Sequence, residues 1–234
     1  MTTAADVREM VQPLLRRHAD LALVGRWIFI KPIEHFARGV LIDRTAYKEQ
    51  FRPRWAVTHL FEIQHFLPLS WGAYLVNNRS SLPGIWRTSD PDVELSLIEA
   101  IEEQALPTLR AMTTLDDFLA FVSQHYFRHH LFEWPDRRMI VDVALGKLEA
   151  ARAICQENIE LWSEICPYHD AEDRAQLLGL QKLCACLAAD DRRGMAELLH
   201  QWEAETVKRQ KIEHLWQPTP FPLESAYSAS SPPK

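Results

Sequence analysis

Glycine is scarce in this chain, with 7 among 234 residues, which is less than half of the usual ~7%. This scarcity argues against a glycine-rich loop that cradles a nucleotide phosphate. The sequence also lacks the glycine patterns of P-loop and Rossmann proteins, the serine elbow of hydrolases and the paired cysteines of zinc fingers. These absences disfavour P-loop nucleotide hydrolysis, Rossmann redox chemistry and elbow-type serine hydrolysis.

Long apolar runs are also missing. No stretch approaches the ~18 apolar residues that a membrane-spanning helix requires, and the longest ones are interrupted at Arg26 and Lys31. Residues 1–10 have no basic segment followed by an apolar one, so they do not match a secretory signal. We therefore expect a cytoplasmic protein with no membrane partner.

Cysteine is confined to the last third of the chain, at Cys155, Cys166, Cys184 and Cys186. In a chain of this length without a secretory signal we expect no disulfide scaffold. On a helix, Cys184 and Cys186 would point about 200° apart, so they could not easily share a metal ion. We expect buried, inert thiols.

Charge is distributed unevenly along the sequence. Residues 1–87 hold 12 Lys and Arg against 7 Asp and Glu, whereas residues 88–234 hold 14 against 25. This asymmetry is typical of a basic binding face or of two oppositely charged subdomains that pack together. The absence of a dense Lys/Arg cluster favours the second interpretation.

Hydrophobic periodicity predicts an α+β fold. Apolar positions spaced by 3, 4 and 7 indicate an N-terminal helix over residues 5–19. A small antiparallel sheet of about four strands is predicted next, since the segments rich in β-formers have short connections; they cover residues 24–30, 36–42, 54–61 and 71–76. Further helices are predicted over residues 90–112, 114–134, 136–163, 171–189 and 191–215.

These elements predict three consecutive regions. Residues 1–87 form a subdomain of one helix and the sheet, and residues 88–216 form a C-terminal helical subdomain. Residues 217–234 form a proline-rich tail that we expect to be extended and then disordered. Phe221 and Leu223 are the side chains that could anchor this tail to the body of the protein.

Two histidines are the candidate metal ligands. His125 and His129 are four residues apart, so on a helix they share one face, and Glu133, Asp136 or His169 could supply a third ligand. A helix end explains the same pair without a metal, because cationic side chains are favoured at the negative end of the helix dipole. We expect no cofactor, and the sequence leaves a bound metal open.

The strand region contains a candidate basic site. If Arg26, Arg38 and Arg54 share one face of the sheet, they form a basic strip beside Trp27 and Trp55. Such a strip could hold a phosphate, a carboxylate or single-stranded nucleic acid. Salt bridges to the acidic helices explain the same arginines without a ligand.

His59 is a further candidate ligand-binding residue. It lies close in sequence to Glu62 and His65, and together they could form a polar site at the edge of the sheet. Because side chains alternate along a strand, the three need not point the same way. A surface or hydrogen-bonded histidine is the simpler interpretation.

Two segments, residues 32–39 and 216–224, resemble segments of uncharacterised bacterial proteins. The order of one helix, a small sheet and a helical C-terminal half is also similar to that of bacterial toxin-immunity proteins and other orphan α+β proteins. No catalytic motif accompanies this resemblance, so it implies no functional residues.

Together these patterns favour a non-catalytic binding or protein-interaction module. In this hypothesis the acidic helical half offers a surface to a basic protein partner. A homodimer is left open, and a nucleic-acid partner is disfavoured. The alternatives are a small metal-dependent enzyme built on the histidine pair, and phosphate or nucleic-acid binding through the arginines of the strands.

Overall fold

The computed structural model describes residues 3–62, 67–69, 71–79, 84–124, 134–165 and 170–228. The chain forms two compact units. Unit 1 consists of Met1–His59, Leu67–Phe118 and Lys211–Gln217, and unit 2 consists of Leu60–Phe66, Leu119–Gln210 and Pro218–Lys234. The units are interleaved along the chain, whereas the predicted subdomains are consecutive.

Unit 1 contains an antiparallel sheet. Its strands are β1 (Leu21–Val24), β2 (Trp27–Ile30), β3 (Phe36–Arg44), β4 (Gln50–His59), β5 (Trp71–Tyr74) and β6 (Trp86–Arg87). The first five lie in chain order, and β6 pairs with the start of β4. The predicted α+β class and antiparallel pairing are confirmed, although the described residues form six strands where about four were predicted.

The first two strands form a hairpin, whereas the sequence predicts one continuous strand here. Val24 pairs with Trp27, so Gly25 and Arg26 form a two-residue turn between them. Gly25 has a φ of 61°, and a residue without a Cβ adopts this conformation at little cost. The continuous strand predicted over residues 24–30 is therefore wrong.

One face of the sheet, the core face, is covered by helices of unit 1. Val40 and Val57 are buried on this face, which also carries a cluster of aromatic rings. The ring of Phe118 stacks on Phe36 at 5.4 Å and meets Trp71 edge to face at 5.4 Å. This cluster joins the sheet to the first turn of a helix and forms the centre of the core of unit 1.

The helices of unit 1 are α1 (Ala4–Arg17), α2 (Val93–Ala100), the π-helical segment Ile101–Ala105, α3 (Leu106–Ala111) and the start of α4 (Leu115–Val122). The one helix predicted over residues 90–112 is divided by the π-helical segment. Thr3 and Asp6 form a capping box at α1. Before α4, hydrogen bonds from Thr113 and Thr114 lower the pKa of Asp117 to about 2.

Unit 2 is helical. Its helices after α4 are α5 (Pro135–Ala144), α6 (Leu148–Ile165), α7 (Ala171–Ala188), α8 (Arg192–Gln210) and α9 (Pro222–Ser228). The helices α5 to α8 pack in sequence, each on the next. The single helix predicted over residues 136–163 is divided at Gly146, which has a φ of 73° and ends α5 as glycine commonly does.

A disulfide bond joins Cys155 of α6 to Cys184 of α7, with the two Cα atoms 5.9 Å apart. The prediction of unpaired thiols is therefore wrong for these two residues. Their pairing depends on how α6 and α7 pack, which the spacing of the cysteines in the sequence does not indicate. Cys186 is a free thiol, and Cys166 lies outside the described residues.

The C-terminal segment of unit 2 is anchored as predicted, since Phe221 and Leu223 are both fully buried. In place of an extended tail, residues 222–228 form α9. The Glu224 carboxylate accepts hydrogen bonds from the Phe221 backbone N–H at 2.6 Å and from Nε2 of His200 at 2.9 Å. The pKa of His200 is raised in the folded protein. The larger cause is Glu203, whose carboxylate lies 3.6 Å from Nδ1 on the other side of the ring, and the second is Glu224.

Among the helices that the structure describes, none combines the length and the hydrophobicity needed to cross a bilayer.

Candidate functional site

The register of the sheet separates the arginines that were predicted to form a basic strip. Arg54 pairs with Leu41 and Arg38 pairs with Val57. Paired residues share a face and successive residues alternate, so Arg38 and Arg54 lie on opposite faces. The condition on which the strip depended is therefore not met.

Each of these arginines has its own local contacts. Arg26 donates to the Ile42 carbonyl oxygen at 3.2 Å and lies 3.5 Å from the Asp43 carboxylate. Arg38 points into the core face and donates to the Leu109 carbonyl oxygen at 3.2 Å. Burial lowers the pKa of the Arg38 guanidinium, and this side chain serves to join β3 to α3.

His59 is fully buried in the aromatic core of unit 1. Its ring lies 5.6 Å from the ring of Trp71 and 6.1 Å from that of Phe118. Glu62 belongs to unit 2, and His65 lies outside the described residues. A buried ring in this environment packs as part of the core and has no route to a ligand in solvent.

The predicted metal ligands His125 and His129 lie outside the described residues, as do Glu133 and His169. Of the candidate ligands, only Asp136 has a described position. Across the residues with a described placement, no group of three or more His, Cys, Asp or Glu side chains could hold a metal ion.

Unit 2 contains a cleft of about 410 Å³ between α5, α6 and α7. Trp134, which is 49% exposed, and Leu161, which is 53% exposed, lie at its mouth, and Trp162 is buried in its wall. Its polar lining includes Asp136, Arg137, Asn158, Asp173 and Gln176. A concave apolar site with a few polar groups is the usual form of a ligand-binding cleft.

Glu62 is buried next to this cleft, with 2% of its side chain exposed. Its Oε1 accepts a hydrogen bond from Gln176 at 2.8 Å and lies 3.5 Å from Nε of Arg137. Its backbone carbonyl oxygen accepts a hydrogen bond from Thr206 at 2.8 Å. A buried carboxylate requires such partners, so Glu62 holds Arg137 in place and offsets its charge.

Two features set the electrostatics of the cleft. Burial, and then the neighbouring charge of Glu62, raise the pKa of Asp136. The guanidinium of Arg137 lies 5.2 Å above the ring of Trp134. Three carboxylates, those of Glu62, Asp136 and Asp173, therefore lie in or beside the cleft together with the guanidinium of Arg137.

Sequence reasoning named Asp136 and Glu62, but as parts of two different sites. Their proximity depends on the folding of residues 60–62 against α5, and more than 70 residues separate them in the chain. Trp162 and Gln176 join them from α6 and α7. A scan of local motifs does not detect a site assembled from four separate segments.

Comparison of the chain with family models, with curated proteins and with solved structures finds no match.

Proposed function

We propose that this protein is a non-catalytic interaction module whose helical unit binds a basic protein partner. In this proposal the cleft of unit 2 receives one lysine or arginine side chain of the partner. The observation that carries the proposal is the combination of two tryptophans and two aspartates in the lining of one cleft. Aromatic faces attract cations, and ionised carboxylates pair with them.

The charge of unit 2 supports the same partner. Unit 2 holds 12 Lys and Arg against 17 Asp and Glu. An excess of negative charge steers a basic protein toward this surface and raises its association rate. The exposed side chains of Trp134 and Leu161 supply the apolar contact that the stem of a lysine or arginine requires.

The test uses a single basic side chain as the probe. Nα-acetyl-arginine amide and its uncharged isostere Nα-acetyl-citrulline amide are titrated against the full-length protein, and the indole N–H resonances of Trp134 and Trp162 are followed by NMR. We expect the arginine probe to shift both resonances with a dissociation constant of about 1 mM. The citrulline probe should shift neither.

Matched variants locate the binding site. Asp173→Asn should weaken binding about fivefold, in keeping with the ~1 kcal/mol of a partly exposed ion pair. Glu160→Gln removes the same charge from the opposite side of α6 and should change nothing. Because a cation favours ionised Asp136, affinity should also rise as the pH increases through the raised pKa of that carboxyl.

Two results would contradict the proposal. Equal shifts with the arginine and citrulline probes would show that the cleft does not select a cation. Equal weakening by Asp173→Asn and Glu160→Gln would show that the probe responds to the diffuse charge of unit 2 and does not enter the cleft.

A further inference from the structure

The sheet of unit 1 has a second face, which carries a row of large side chains. The register pairs Val24 with Trp27, Trp27 with Leu41, Leu41 with Arg54, and Arg54 with Tyr74. Cross-strand partners share a face, so these five residues cross β1 to β5 in one line. All five are partly or fully exposed, and 48% of Tyr74 is accessible to solvent.

The aromatic and cationic members of this row are held in ordered contacts. The guanidinium of Arg54 lies 5.1 Å from the centre of the Tyr74 ring. Its Nε is buried and has no hydrogen-bond acceptor among the described residues. The ring of Trp27 stacks on Phe29 at 5.2 Å with an interplanar angle of 10°, so β2 and β5 each contribute a positioned aromatic ring to the row.

The hairpin between β3 and β4 adds positive charge beside this row. Residues 43–54 contain four basic and two acidic side chains. Arg52 pairs with Asp43, two residues along from the row and on the same face, and its side chain is exposed. Lys48 at the hairpin tip is also exposed. Tyr47 at the same tip is 69% exposed. Basic side chains and accessible aromatic rings therefore both occur at this end of the sheet.

From this arrangement we infer that the row from Trp27 to Tyr74 binds single-stranded nucleic acid. Trp27 and Tyr74 lie on strands three positions apart, about 14 Å at the usual strand spacing, so each ring can stack on a different base. Arg52 and Arg54 supply the charge for the intervening phosphates. Exposed aromatic rings on a basic sheet are the usual platform for unpaired bases.

This function is separate from the proposed recognition of a basic protein, since it uses another unit and the opposite charge. It also uses a different set of arginines from the predicted strip. Arg38 plays no part, because it donates to Leu109 on the core face. Of the three predicted arginines, Arg54 is the one in the row.

The test measures the fluorescence anisotropy of a labelled 15-nucleotide poly-dT strand with the full-length protein at 50 mM salt. We expect binding that falls roughly 20-fold between 50 and 200 mM salt, which corresponds to three neutralised phosphates. Tyr74→Ala should weaken binding at least fivefold and Tyr74→Phe should retain it, because stacking requires the ring and not the hydroxyl. Arg54→Gln should weaken binding, whereas Arg8→Gln, an equal loss of charge on α1, should not.

Three results would overturn the inference. The first is no measurable binding at 100 µM protein and 50 mM salt. The second is equal affinity for heparin or for a poly-glutamate peptide, which would define a general anion surface. The third is equal binding by Tyr74→Ala and the wild type, which would remove base stacking. None of these results depends on the cleft of unit 2.

Discussion

Replacing Phe118 with alanine tests the central contact of unit 1. The Phe118 side chain is fully buried. Its ring lies 5.4 Å from both Phe36 and Trp71 and 6.1 Å from His59. Removal of this ring therefore takes away three aromatic contacts at once and leaves a cavity between the sheet and α4.

The expected cost follows from the size of the group. A deleted phenyl ring leaves on the order of 100 Å³ of space, which at ~24 cal/mol per Å³ contributes about 2.4 kcal/mol of cavity energy. Together with the lost transfer free energy, Phe118→Ala should lower the free energy of unfolding by about 3–5 kcal/mol. Phe118→Leu retains most of the volume and should cost roughly 1–1.5 kcal/mol.

Urea denaturation followed by tryptophan fluorescence and by far-UV circular dichroism measures this change. With a slope of ~2.5 kcal/mol per M, Phe118→Ala should lower the midpoint by about 1–2 M. Leu95→Ala on α2 is the control, since Leu95 is 49% exposed and its loss should cost less than ~0.5 kcal/mol. A midpoint shift for Phe118→Ala as small as that of Leu95→Ala would refute the placement of Phe118 in the core.

Two further predictions concern unit 2. Because the pKa of His200 is raised in the folded protein, its stabilising charge is present below pH 6.5 and is lost as the pH rises through the raised value. The stability advantage of the wild type over His200→Gln, measured by urea denaturation, should therefore shrink between pH 5.5 and 8.5; a constant difference would rule out the ion pair with Glu224. The Cys155–Cys184 bond closes a loop of 29 residues, so its reduction should lower the free energy of unfolding by about 3–4 kcal/mol. Cys186→Ser is the control and should not alter that response. An unchanged midpoint of urea denaturation in the presence of reductant would contradict the prediction.

The sheet could be predicted where the local pattern determines it. Residues 36–42 and 71–76 are rich in β-formers, and both begin strands at the predicted residue, Phe36 and Trp71. The hairpin at Gly25 was missed because an apolar run on both sides of a two-residue turn has the same composition as one longer strand. The short β6 was missed because two residues show no periodicity, and its place depends on pairing with β4.

The candidate sites were harder to predict than the fold, for a physical reason. The arginine content of the strands identified a basic region. The face on which each arginine lies depends on the register between β3 and β4, which places Arg38 on the core face and Arg54 on the other face. In unit 2 the polar environment of Asp136 comes from Glu62, which is distant in the chain. Long-range packing determines both arrangements, and one sequence without structure carries little information about it.

The interleaving of the two units has a consequence for synthesis on the ribosome. Unit 1 includes Lys211–Gln217, and in this segment Trp216 forms a parallel bridge with Ile33. The sheet of unit 1 therefore lacks this last segment while the ribosome synthesises residues 119–210. At ~5–20 residues per second this interval lasts about 5–20 s. During that time unit 2 can begin to fold before the sheet of unit 1 receives its last segment.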